Sequence, residues 1–180
     1  MMHLGKIFEL FLFSIAFSIF SVSSNTITLN ISGKILTGTC TVSPVLIAGQ
    51  QVPLGSLERS KFKSPGAADP NWHNFSLELT NCSAGITTST VTFSGAEDSN
   101  DRLLFANTEP ELSAAKNMAV QISRQDNNNE ILSNGSSMTV NVNNQNGTAS
   151  FPLAARMITP VGNATAGEVS SLVLVTFTYQ

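Results

Sequence analysis

Apolar and polar residues alternate strictly near the front of the chain. Ile27, Leu29, Ile31, Gly33 and Ile35 fall on one side, and Thr28, Asn30, Ser32 and Lys34 on the other. A period of two is the pattern of a half-buried strand. Leu36 to Val42 reads as a second strand after a short break. The same alternation returns in Phe75, Leu77 and Leu79, in Val91 and Phe93, in Met118, Val120 and Ile122, and in Met138, Val140 and Val142. Phe151 to Met157 is a further strand, with Pro152 pointing to an edge or a bulge. Val169 to Tyr179 reads as the last and longest. It carries Val169, Val173, Val175, Phe177 and Tyr179 on one face and Leu172 and Leu174 on the other, which reads as burial on both sides.

Turn residues punctuate these runs. Ser64 to Pro70 is a loop by its Pro and Gly content. Asn134-Gly135 and Asn146-Gly147 are tight-turn signals, because both residue types tolerate positive φ. Pro44 to Gly66 is less regular, with Val45, Leu46, Ile47, Val52, Leu54 and Leu57 as apolar anchors. Helix signals are sparse: Glu111 to Lys116 suits one turn. Many short strands with turns between them predict an all-β sandwich of immunoglobulin-like type.

Composition agrees. Of 180 residues only 12% are charged, and the formal net charge is -3. The Glu/Lys/Arg/Ala surface of helical proteins is missing. Nine Lys and Arg residues are scattered, so nucleic acid is not an expected partner. Residues 1–24 lie apart from this pattern. Lys6 precedes an apolar run from Leu10 to Phe20, and small residues follow at Val22 to Ser24, the layout of a secretory signal peptide. A buried N-terminal helix is the competing reading, and a run with no polar face makes a poor surface helix. The expected division is thus a signal peptide at 1–24, an N-terminal extension at 25–36 and one domain at 37–180. The two cysteines, Cys40 and Cys82, are 42 positions apart. In an exported chain two cysteines most often pair.

The chain offers little to an enzyme. His73 is the one histidine beyond the expected signal peptide, so a multi-histidine metal site or a histidine-based triad has no material. Gly-rich phosphate loops and G-x-S-x-G are missing too. Asp69, Asp98 and Asp101 read as solvated loop acids, and His73 beside Trp72 as a surface or half-buried packing pair. No cofactor, metal or small-molecule substrate is expected.

Both ends of the expected mature chain are apolar strands, where polar, mobile termini are the rule. Gly167 lies fourteenth from the C-terminus and Tyr179 is penultimate. A long apolar strand with an open neighbour position needs something to pair with it. With these features the chain resembles chaperone–usher fimbrial subunits of the type 1 family. The resemblance rests on Gly33 seven residues before Cys40, on Phe75-Ser-Leu-Glu-Leu-Thr-Asn-Cys82 and on Val91-Thr-Phe-Ser-Gly95. It continues through Phe151-Pro-Leu-Ala-Ala-Arg156 and the terminal Gly167 to Tyr179. Trp72-His73 is closer to the minor adaptor subunits near the fimbrial tip than to the major shaft pilin, which is the alternative.

That resemblance implies an incomplete immunoglobulin-like sandwich of six strands, lacking the seventh, with an N-terminal donor-strand extension. It implies a donor strand of Ile27, Leu29, Ile31, Gly33 and Ile35. It assigns Gly167, Val169, Val173, Val175, Phe177 and Tyr179 to the strand that a chaperone or a neighbour's extension completes. The implied partners are a periplasmic pilus chaperone, an outer-membrane usher and neighbouring fimbrial subunits. The implied route runs through the periplasm to the cell surface. Two other classes compete: a secreted enzyme on a sandwich scaffold, and a self-contained receptor-binding domain. The second is disfavoured because pilus adhesins carry a separate lectin domain, for which this chain has no room.

Overall fold

A computed structural model describes Ser32 and residues 38–180. The expected signal peptide and the five donor-strand positions lie outside the described residues. Among the described residues eight strands form two antiparallel sheets. They are β1 (Thr41–Val42), β2 (His73–Thr80), β3 (Thr88–Gly95), β4 (Phe105–Ala106), β5 (Ala119–Arg124), β6 (Ser137–Asn141), β7 (Ala149–Ile158) and β8 (Val173–Tyr179). One sheet runs β1-β2-β7-β5-β4 and the other β6-β3-β8. Strands β1 and β4 are two residues each, which leaves six longer strands, the number expected.

The alternating residues explain the layering. Leu77 and Leu79 of β2, Val120 and Ile122 of β5, and Phe151, Leu153 and Ala155 of β7 point inward from the larger sheet. Val91 and Phe93 of β3 and Met138 of β6 meet them from the smaller. Leu79, Val91, Phe151 and Leu153 have no exposed surface, so the middle of the core is closed. A second cluster of Phe62, Ala115, Met118, Met157 and Ala164 closes one end of the sandwich. At the other end a disulfide joins Cys40 to Cys82. Closing a loop of that length stabilises the fold by roughly 3–4 kcal/mol in the chain-entropy picture.

The structure corrects several expectations. Among the described residues the run toward Val42 is a strand only at Thr41–Val42. Ser43 then caps a short helix, α1 (Pro44–Ala48), its Oγ accepting from Leu46 N, and Pro44 supplies the fixed φ of a first helical turn. Strand β7, with ten residues, is the longest among the described residues. Strand β8 starts at Val173 rather than Val169, because Val169 to Leu172 is tied elsewhere: Thr108 N donates to Ser170 O and Ser170 N to Asn107 Oδ1.

Pro152 sits in central strand β7, opposite Ser76 of β2. Its carbonyl accepts from Gln125 N, one residue past the end of β5. A residue's N–H and C=O point to the same side of a strand, so the donor that proline lacks faces the place where β5 leaves the sheet. Asp69 is buried, not solvated, at 2% exposure. Its carboxylate accepts from Asn71 N and lies 3.2 Å from His73 Nε2.

The tight turns are as expected. Gly135 and Gly147 have φ of 80° and 63°. Ser64 to Pro70 turns through Gly66, and a single turn forms where Ser113 N and Ala114 N both donate to Pro110 O.

Candidate functional site

Strand β8 has two different edges. One pairs with β3 along its whole length, from Ser89 opposite Tyr179 to Gly95 opposite Val173. The other has no strand partner among the described residues. Exposure alternates along β8: Val173, Val175, Phe177 and Tyr179 are half-buried, while Leu174, Thr176 and Thr178 are exposed. Leu172 and Leu174, expected to be buried, are 71% and 64% exposed. They lie on the outer face of a sheet that nothing covers among the described residues, so β8 buries one face only.

Beneath the open edge runs a groove of about 1100 Å³. Phe75, Leu77, Phe93, Val120, Ile122 and Met157 contribute to its lining. Gly167, Val169, Val173 and Val175 line one side, and the stretch from Leu46 to Arg59 lines the other. Between Gln50 and Leu57 that stretch makes no backbone–backbone hydrogen bond among the described residues. Its apolar residues Val52, Leu54 and Leu57 pack against the two core clusters. The groove therefore lies between the open edge of β8 and a segment, Gln50 to Leu57, whose backbone makes no backbone–backbone hydrogen bond among the described residues, over an apolar floor. This is an arrangement that a single added strand fills, because main-chain donors and acceptors and side-chain pockets are offered together.

Of the six residues assigned to this strand, four line the groove. Phe177 and Tyr179 sit further along β8 and pack on the main core. The Phe177 ring meets Phe151 with centroids 5.6 Å apart. Burial pushes the Tyr179 phenol above the usual tyrosine range.

Gly167 is required by a close approach. A Cβ there would lie 2.6 Å from Ala114 C and 2.7 Å from Ser113 O. The contact is held by Glu168 N donating to Ser113 O and by Ala115 N donating to Glu168 O. The opposite wall was hidden in the sequence. Val52 and Leu54 stand out as apolar anchors, but no periodicity assigns a strand that lacks its partner.

A separate polar cluster occupies the larger sheet near the start of β2. The Arg156 guanidinium lies 4.1 Å from the Trp72 ring centroid, and its Nε donates to Gln121 Oε1 at 2.8 Å. Burial pulls the Arg156 pKa down, and nearby Asp69 opposes that shift. Trp72 and His73 are both half-buried, and each meets a different partner: Trp72 lies under Arg156 and His73 bridges to Asp69.

Comparison with known proteins places this geometry. The chain is 35% identical over 159 residues to protein FimG of Escherichia coli K12, covering 88% of each chain. It is 36% identical over 160 residues to the S-fimbrial adhesin protein SfaS of Escherichia coli O6:K15:H31, covering 89% of each. Among solved structures, the P pilus rod subunit PapA superposes with a TM-score of 0.62 over 78% of this chain and 99% of that one. At 18% identity this likeness speaks to the fold alone, an immunoglobulin-like pilin sandwich. Residues 29–180 match the family model described as fimbrial protein, and the chain belongs to that family as a subunit of chaperone–usher pili.

Proposed function

We propose that this chain is a minor adaptor subunit of an adhesive fimbria, built into the fibre by donor-strand exchange. The observation that carries the proposal is the open edge of β8 above an apolar groove. Strand addition of this kind is a recognised mode of pilin assembly. A periplasmic chaperone holds the edge first. At an outer-membrane usher, the extension of a neighbouring subunit replaces it.

This subunit's own extension, residues 25–36, does the same for the next groove. Ile27, Leu29, Ile31 and Ile35 are the side chains that enter pockets, and Gly33 passes where a side chain has no room. Four such side chains contribute roughly 6–12 kcal/mol before the costs of association. The relatives' role as structural fimbrial subunits, not enzymes, agrees with this reading.

The test is to purify residues 37–180 with no added strand, and again with a peptide of residues 25–36. The bare domain is expected to aggregate or unfold, and the peptide to rescue it. A bare domain that is a stable, fully folded monomer would overturn the proposal.

A second reading, direct receptor contact by this domain, has one observation in its favour. SfaS is named an adhesin, and the match covers 89% of its length, so an adhesin's name does not demand a separate lectin domain. Glycan-array binding by the peptide-filled subunit would support it.

A further inference from the structure

The two ends of the sandwich are built from different segments. At one end Thr39, Ser83 and Ile86 to Thr88 gather round Gln180: Ser83 N donates to Thr39 O, and Thr87 N and Thr88 N both donate to Gln180 O. Gly38 lies there too, against Ile86. This is the end from which the subunit's own extension departs. Just beyond β1, Val45 and Ile47 of α1 are exposed at 63% and 75%. At the opposite end, where β8 begins, Leu112 and Leu172 stand exposed at 104% and 71%.

Leu112 is not on a loose loop. It occupies the apex of a turn whose Ser113 N, Ala114 N and Ser113 Oγ all donate to Pro110 O. That turn is tied to Glu168 from both sides. Leu172 follows the same anchored run, after Ser170. A fully exposed leucine held on a hydrogen-bonded turn loses little entropy on being covered, which suits an anchor at an interface.

The length of the connection says what covers it. Four residues, Leu36 to Thr39, separate Ile35 from Cys40. They reach at most about 18 Å. In a subunit built like this one, the body therefore follows its donated strand closely. Every pairing between the named strands of this molecule is antiparallel. An antiparallel donor on β8 brings its Ile35 end to Val173. A parallel donor would bring its body to the end where this subunit's own extension leaves, and the two would compete for space.

We infer that Leu112 and Leu172 form a docking surface for the body of the fimbrial subunit whose strand fills the groove. The interface between successive subunits thus extends beyond the exchanged strand. This inference rests on the groove reading above, and its test separates the two.

A second copy of the chain serves as donor, its own groove filled by residues 25–36 appended after Gln180 through a flexible linker, its N-terminal extension left free. The acceptor is the mature chain refolded with the bare 25–36 peptide, then exchanged with the donor copy. The donor copy is expected to leave the wild-type acceptor about tenfold more slowly than the bare peptide does. In the Leu112→Ser/Leu172→Ser acceptor that difference is expected to vanish, with peptide release unchanged. A copy that leaves wild type as fast as the peptide overturns the inference. So does a difference that survives in the variant. An acceptor that never holds the peptide overturns the groove reading, and the inference with it.

Discussion

At the scale of single residues, one position just before the last strand and one on it report on their surroundings. Gly167 has its α-carbon pressed against the backbone of Ser113 to Ala115, where a side chain meets main-chain atoms that cannot swing away. Gly167→Val is expected to lower stability by about 1–3 kcal/mol, through overpacking and a disfavoured φ. Denaturant unfolding of the peptide-filled subunit reads this, and an unchanged midpoint would show that the 110–114 turn yields.

Tyr179 offers a cleaner signal, since the chain has one tyrosine. Its phenol is raised above about 10 by burial. A raised pKa favours the protonated form in the folded state. The contribution is therefore fully present below the unfolded value and lost as pH rises through the folded one. Phenolate absorbance is expected to titrate at higher pH in the folded subunit than in denaturant. Coincident curves would mean that the ring is solvated and that β8 does not pack as described.

At the scale of elements, what sets β8 apart is that its open edge stands above an apolar groove. Ile31→Asp in the extension is expected to leave this subunit's own β8 and groove intact, so chaperone capture continues while donation to a neighbour fails. Normal incorporation of the variant upstream of another subunit would show that Ile31 enters no pocket, since burying an unpaired carboxylate there is costly.

The same contrast explains what was legible beforehand. Strands β2, β3, β5, β6 and β7 could be read because each buries one complete face, and a completed face writes a period of two into the sequence. Strand β8 was read too long and as buried on both sides. Val169 to Leu172 carries strand-like residues, yet it is held by Thr108 and Asn107, and Leu172 and Leu174 are apolar without being covered. The wall from Gln50 to Leu57 was not legible, because a segment that lacks its partner has no second strand to impose alternation. Asp69 was misread for a related reason. Its carboxylate is satisfied by His73 four residues on and by the backbone of Asn71, contacts that composition cannot display.

At the scale of the whole molecule, the polarity of the ends governs what the chain can build. On the donor-strand reading, groove and extension are two different surfaces, so the contact is heterologous, and where successive rotations do not close a ring such contacts build an open filament. Nothing in that geometry limits the filament's length. A subunit that prefers its own kind forms a shaft, and one that prefers a different relative's extension is used sparingly.

The adaptor reading therefore makes a quantitative claim about copy number. In sheared fibres examined by quantitative mass spectrometry, this chain is expected once or a few times per fibre, beside a different subunit in large excess. Finding this chain itself as the bulk of the fibre would make it the shaft pilin. In that case the groove must take residues 25–36 of an identical copy, and the rescue of the bare domain by that peptide should be tight. If the chain is scarce, the groove is expected to prefer another relative's extension over its own, which competition between the two peptides for one acceptor reads directly. Scarcity in the fibre together with a strong preference for its own extension would be inconsistent, because such a subunit would polymerise wherever it met itself.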